Sequence, residues 1–358
     1  MKAAPAMWPP MSRGFTHVRA PALRPGDTIA VVAPSGTPMD CTSARALRGI
    51  AFLEGMGYRV RVMPHATADR VGHRPGEANA MRAADLNAAF RDPDVRLVLG
   101  AMGGWMSNGM LPLLDTKALE ADPKLVQGHS DVTALLVGLH AATGIVTLHG
   151  PQLIPHFGRP TGPNPDTLAA WQRLVMGEPA VPLDIPWPGR FEQELPAWES
   201  LADRRGKRDL RPNPPPVVDR PATVEGELLV GNLVTLQVLA GTRWWPSFDR
   251  TILAWEEVRE DFAAIQRSLW HLREAGALDR MTGMVIGKPL GCSGRPGETF
   301  EGIVRDALDG VDFPVAFHHD FGHREPFLAM PIGCKARLNE EGTLTLLEPA
   351  VGRGKPPG

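Results

Sequence analysis

The sequence predicts an α/β fold in two units. From about residue 27, short β-branched runs alternate with amphipathic segments, and strands separated by helices imply a parallel sheet. A Pro-rich stretch from 156 to 222 breaks this rhythm, and beyond it the same alternation resumes. At 358 residues the chain also exceeds one comfortable hydrophobic core, which favours two domains.

TIAVVAPSG (28–36) reads as a buried strand ending in a turn. TSARALRGIAFLEGMG (42–57) reads as a helix, with Thr42 or Ser43 as N-cap and Gly55 or Gly57 near its end. YRVRVMP then gives a strand, EANAMRAADLNAAFRD a helix and VRLVLGAMGG a strand, followed by KLVQG, the helical DVTALLVGLHAATG and GIVTLHGP. In the 156–222 stretch, HFGRPTGPNPD, PWPGRF and RPNPPPVVDRP oppose regular ladders and helix interiors, so it reads as a linker or insertion. The second unit runs through TVEGELLVG (strand), NLVTLQVLAG (helix), TILAWEEV (strand), DFAAIQRSLWHLREAG (helix) and MTGMVIGKP (strand). It closes with VAFHHDFGH and a hairpin-like ARLNEEGTLTLLEP. The expected boundaries are an N-terminal arm at 1–22, a first domain at 23–155, the Pro-rich segment at 156–222, a second domain at 223–350 and a tail at 351–358.

Composition narrows the function classes. A formal net charge of -2 gives no general attraction to a nucleic-acid polymer or an anionic membrane, so a small molecule or peptide is the expected partner. Three cysteines, Cys41, Cys292 and Cys334, form no C-x-x-C pair, which argues against a disulfide framework or zinc cage and for a reducing compartment. With no apolar leader and no segment near the roughly 18 apolar residues of a membrane span, a soluble cytoplasmic protein is expected.

Chemistry concentrates in LVQGHSDVTALLVGLHAATG. A buried strand runs into Gly128, His129 and Ser130, with a helix directly behind, so the Ser130 hydroxyl sits at a strand-to-helix corner where following backbone amides point at a ligand. From local sequence alone Ser130 reads first as an ordinary N-cap, and the G-x-S-x-G pattern is absent because Val132 replaces its second glycine. Gly103 and Gly104, at the end of the preceding strand, either bring bare amides close to a ligand or simply make a tight turn. A serine nucleophile needs a base; His323, in the Gly- and Pro-flanked loop DFGHREPFLAMPIG, is the candidate. His318, His319 and Asp320 suggest a metal site only weakly, because adjacent strand residues point apart, and His149 reads equally as structural. Glu256 and Glu257 end the strand TILAW, where one carboxylate is placed to orient an imidazole or both form a solvated terminus.

Taken together these residues resemble the LD-carboxypeptidase family of serine peptidases, including its microcin-immunity branch. The matching pieces span roughly Leu23 to Glu348: IAVVAPSG, the Gly103-Gly104 turn, GHSDVTALL with TLHGP, GELLVGNL with LAGT, ILAWEEV, VIGKP and FGHREPFLAMPIG. The resemblance implies an N-terminal Rossmann-like domain carrying the serine and a smaller C-terminal α/β domain of swivelling type carrying Glu and His, usually in a homodimer. It assigns Ser130 as nucleophile, His323 as base and Glu256 as its carboxylate partner. It also implies an oxyanion hole from the amide of Asp131 and a glycine of the Gly103-Gly104 turn, with no metal or organic cofactor.

Met102 before the glycines, and Trp105-Met106-Ser107-Asn108 after them, look more like the microcin-immunity branch than the peptidoglycan-recycling members. So does WESLADRRGKRDLRPN (198–213), similar to that branch's substrate loop. Val230 replaces the first glycine of a family Gly-Gly-Asn-Leu stretch that ends here in Asn232 and Leu233. The expected substrate-binding residues are Trp105, Ser107, Asn108, Trp187, Trp198, Arg208 and Asn232. Trp187 and Trp198 either stack on a nucleobase or pin their loop to the body, and Arg204, Arg205, Lys207 and Arg208 either offset phosphate charge or lie in solvent. The implied reaction is hydrolysis of an amide in a peptidyl or aminoacyl-nucleotide substrate. The alternatives are removal of a terminal D-alanine from muropeptides and non-catalytic binding of a peptide or nucleotide.

Overall fold

The computed structural model describes residues 17–35, 41, 43–67, 75–177, 180–206 and 208–352. Most of the expected N-terminal arm, the end of the tail, Thr42 and Lys207 lie outside the described residues.

The first unit carries β1 (Thr28–Val32), α1 (Ala44–Gly55), β2 (Arg59–Val62), α2 (Pro75–Arg91), β3 (Val95–Gly100), α3 (Thr116–Ala121), β4 (Leu125–Gly128), α4 (Thr133–Thr143) and β5 (Thr147–His149). Five parallel strands stand in the order β5-β4-β3-β1-β2. Helices cover the sheet, so β1 is buried at every residue, whereas β2, at the edge, alternates between exposed and half-buried positions. Ser43 caps α1 by accepting from the Ala46 amide. Almost every residue of α4 is buried, because it lies between the two sheets of the molecule and not on a surface.

The stretch expected as a linker holds α5 (Pro165–Val175), β6 (Leu183–Asp184), β7 (Arg190–Glu192), α6 (Leu201–Arg204), β8 (Leu210–Pro212) and β9 (Val217–Asp219). Its prolines are compatible with this order. Pro165 occupies the first turn of α5 behind an Asn164 cap, where a missing N–H costs nothing. The short strands β6 and β9 sit at the two edges of the second sheet, where proline neighbours are tolerated.

The second unit adds β10 (Val224–Asn232), α7 (Leu233–Gln237), β11 (Thr251–Glu256), α8 (Phe262–Glu274), β12 (Gly283–Gly287), α9 (Phe300–Ala307), β13 (Val315–His319), β14 (Met330–Ile332), β15 (Lys335–Leu338) and β16 (Leu344–Leu346). The second sheet has the order β6-β16-β15-β10-β11-β12-β13-β9, parallel through β10, β11, β12 and β13 and antiparallel at the flanks. One strand crosses between units: β14 leaves the second and pairs antiparallel with β5, Met330 opposite His149. It therefore carries the loop containing His323 to the carboxyl ends of β4 and β5. A single apolar core runs through both units. No helix among the described residues is long and apolar enough to cross a membrane.

Candidate active site

Where β4 ends, Ser130 turns into the left-handed region, φ 60°, and a short 3₁₀ turn (Ser130–Val132) leads into α4. A residue with a Cβ reaches this conformation only at a cost on the order of 1–3 kcal/mol, which the surrounding packing must meet. The corner thus holds the hydroxyl out of the sheet, half-buried at the mouth of a cleft. Gly103 passes so close that a Cβ there would lie 2.7 Å from Ser130 Cβ and 2.9 Å from its Oγ, so glycine at 103 is a steric requirement of this approach.

Asp131 fastens the corner. Its carboxylate accepts from Ser35 Oγ at 2.6 Å and from the Ser107 amide at 3.0 Å, while Ser107 Oγ donates to the Asp131 carbonyl at 2.5 Å. The loops after β1, β3 and β4 are thereby tied together at one end of the sheet. Burial raises the Asp131 carboxyl, against the lowering effect of these hydrogen bonds.

Glu256, the last residue of β11, has no exposed surface, and its Oε2 lies 2.7 Å from Nδ1 of His323. The His323 loop folds directly over this carboxylate at Gly322, φ 99°, where a Cβ would fall 2.5 Å from Glu256 Cγ. Burial alone would raise the Glu256 carboxyl, but the charge and hydrogen bond of His323 leave it net below its ordinary value. Glu257 goes the other way. Burial, then the Glu256 charge, push it up to about 8, although it accepts from the Val234 amide at 3.0 Å and from Asn232 Nδ2. The adjacent glutamates therefore divide into one ionised and one protonated carboxyl at neutral pH.

Behind His323 stand more imidazoles. His129 lies edge-on to it with ring centres 4.9 Å apart, and His156 and Phe327 pack on His129 at 5.0 and 4.8 Å. Burial and the neighbouring rings hold His129 far below the ordinary histidine value, and burial takes His149 and His156 down to about 4, so the wall is uncharged at pH 7.

Ser130 and His323 open onto the same cleft of about 850 Å³, which Gly103, Gly104, Trp105 and Trp198 also line. Arg45 contributes from α1, its guanidinium 4.5 Å from the Trp198 ring centre and 3.0 Å from Asp203. Arg159, beneath the cleft, is buried between Glu192 and Glu325 at 2.7 and 2.8 Å.

The other expected substrate residues sit elsewhere. Ser107 is buried against Asp131, because its hydroxyl and amide are both used in fastening the corner. Asn108 is exposed on the 3₁₀ turn Ser107–Leu113, outside the cleft lining. Trp187 packs edge-on to His319 at 5.4 Å with Lys288 Nζ 4.8 Å from its ring, which fixes the loop to the body. Arg208 turns inward, donating to Thr161 Oγ1 at 2.7 Å and lying 3.4 Å from Glu192. Asn232 caps α7 through Thr235 and bridges the two glutamates, so it supports the carboxylates from behind. His318 pairs with Glu301 at 3.1 Å while His319 is buried and Asp320 binds Lys288, so this trio does not converge. Among the described residues the donor groups that approach metal-binding distances are His17, His140 and Glu227, away from this cleft.

Sequence reasoning missed Arg45, His129, Gln152, His156, Arg159 and Arg324, all of which line the cleft. Arg45 carried a signal: it falls on the apolar face of α1 beside Ala46, Gly49 and Leu53, where a cation needs a partner.

Comparison with known proteins follows the same outline. Residues 29–150 match the LD-carboxypeptidase N-terminal domain and residues 225–338 the LD-carboxypeptidase C-terminal domain. The microcin C7 self-immunity protein MccF of Escherichia coli is 30% identical over 323 residues, covering 89% of this chain and 92% of that one. The chain belongs to the LD-carboxypeptidase family. A probable murein peptide carboxypeptidase of Bacillus subtilis is 29% identical over 337 residues, 93% of this chain and 95% of that one. Among solved structures, MccF in complex with aspartyl sulfamoyl adenosine superposes with a TM-score of 0.84 at 27% identity, covering 94% of this chain and 100% of that one. An MccF-like protein of Bacillus anthracis gives 0.80 at 26% identity, covering 92% and 99%. As in other LD-carboxypeptidase family members matched along their length, both units of the fold are present in this chain.

Proposed function

We propose that this chain hydrolyses the amide joining an aminoacyl or short peptidyl group to a nucleotide-like leaving group. Ser130 is the nucleophile, His323 the general base and Glu256 the carboxylate that orients it. The observation that carries this reading is the pairing of a buried carboxylate with Nδ1 of His323, which lines the cleft onto which a strained Ser130 also opens.

With Nδ1–H donated to Glu256, Nε2 is left as the basic atom. Ser130 Oγ attacks the acyl carbon while Nε2 takes its proton. The oxyanion that forms is met by backbone amides of the Gly103-Gly104 turn and Asp131. Collapse breaks the C–N bond, the proton passes from Nε2 to the departing nitrogen, and water, activated by the same imidazole, releases the acid and restores Ser130. The neutral histidines behind His323 add no competing positive charge when the imidazolium forms.

The nucleotide-like leaving group is supported by the ligand of the solved MccF complex and by Trp198, whose ring and stacked Arg45 offer this cleft a π-face and a cation. The same proposal includes self-protection against a peptide-nucleotide antibiotic in the cytoplasm, and a homodimer that sedimentation velocity reads directly. The murein peptide carboxypeptidase among the relatives favours a second reading, release of a terminal D-alanine from a muropeptide. Purified protein given an aminoacyl sulfamoyl adenosine and a muropeptide tetrapeptide separates them. Cleavage of the first is expected, with Trp198→Ala raising its KM by a factor corresponding to about 1–3 kcal/mol of lost stacking. Cleavage of the tetrapeptide alone overturns the nucleotide reading.

A further inference from the structure

A second cluster of chemistry lies at the end of α4 away from Ser130. Val18 bonds through its backbone to Gly144 and Val146, which lays His17 against the end of α4. There Nε2 of His17 and Nε2 of His140 each lie 3.0 Å from a different oxygen of Glu227, a residue of β10. The two rings are nearly parallel, with centres 5.7 Å apart.

Hydrogen-bond bookkeeping makes this arrangement unusual. His140 Nδ1 lies 3.0 Å from the carbonyl oxygen of Ile145, which only accepts, so Nδ1 carries the ring's proton. In a neutral ring, Nε2 then turns a lone pair towards a carboxylate oxygen. Positive charge must lie between them, supplied by a second proton or by a cation. Among the described residues His17 Nδ1 is buried with no partner, so Glu227 is the group that holds this ring.

We propose that His17, His140 and Glu227 bind a divalent transition-metal ion, zinc by its donor chemistry, which clamps the N-terminal segment and the end of α4 to the second sheet. Two imidazoles and one carboxylate form a known zinc donor set, with a fourth position left to water. The three donor atoms lie within 4.8 Å of one another. Ligand bonds of about 2.0–2.2 Å place tetrahedral donors roughly 3.3 Å apart, close to the two N···O separations already present. The Nδ1–H of His140, held by a backbone carbonyl, supplies the outer hydrogen bond that fixes a metal-bound imidazole. Side-chain exposures of 26% for His17 and 35% for Glu227 leave a path for the ion and its water. The ion stands apart from the proposed hydrolysis: His140 lies about 15 Å along the helix from Ser130.

The test is calorimetric titration of the full-length, tag-free, metal-stripped protein with Zn²⁺, followed by thermal unfolding. One equivalent binding at micromolar concentration is expected, with the unfolding midpoint raised by several degrees. His17→Ala and Glu227→Gln should each weaken binding by at least about 100-fold, since loss of an outer partner alone costs about 10–100-fold. His323→Ala, at the other cluster of imidazoles, should leave it unchanged. If Glu227→Gln fails to fold, His17→Ala alone decides. Absence of stoichiometric binding, binding indifferent to His17→Ala, or binding lost in His323→Ala overturns the proposal.

Discussion

His323 Nδ1 stands 2.7 Å from Oε2 of Glu256, and that carboxylate is wholly enclosed. The pair is asymmetric with its neighbour, since Glu257 is pushed to the protonated side at neutral pH. Replacing an ionised orienting carboxylate with an amide removes the partner of the imidazolium, whereas replacing a protonated one with an amide keeps its charge state. Glu256→Gln is therefore expected to lower kcat by about 10²–10⁴-fold, with Glu257→Gln staying within a few-fold. Equal losses from steady-state kinetics on the two variants would show that the carboxylates share the role.

The same neighbour sets a pH dependence of stability. Glu257 rises from 4.5 towards about 8 on folding, so between these values the folded protein holds a proton that the unfolded chain has released. Stability from this group is then lost as pH rises, with a slope of up to about 1.4 kcal/mol per pH unit, and levels off above about pH 8. Denaturant unfolding of wild type and Glu257→Gln from pH 5 to 8 should show the variant gaining steadily on wild type. Parallel profiles would mean that Glu257 is ionised in the folded protein.

Gly103 is expected to tolerate no Cβ. Alanine there would press on Ser130 at 2.7 Å, and a displacement of this proposed nucleophile by about 1 Å costs on the order of 100-fold in kcat/KM. Circular dichroism and the unfolding midpoint should change little, because the contact is confined to the corner. Wild-type kcat/KM in Gly103→Ala would show that the turn has room to move.

Much of this was legible in the sequence because local rules suffice for it. Strand-to-helix alternation gave the parallel strands of both sheets and the corner at Ser130, and Ser43 was one of two cap candidates for the first helix. What escaped depends on distant partners. Met330–Ile332 joins the first sheet beside β5 through a pairing across almost two hundred residues that no periodicity announces. Helix Pro165–Val175 was obscured because its proline was weighed as a breaker, whereas at the first helical turn it is harmless. Trp187 and Trp198 are indistinguishable as aromatics in a Pro-rich loop; only packing sends one to Lys288 and His319 and the other to the cleft. Asn232 and Ser107 looked like substrate contacts, yet both spend their polar groups holding other side chains in place.

Turnover by Ser130→Ala bears most directly on the central claim, that the corner hydroxyl attacks the amide. With an aminoacyl sulfamoyl adenosine as substrate, kcat/KM should fall by about 10³–10⁶-fold while ligand affinity is kept. Hydrolysis within about tenfold of wild type would contradict it.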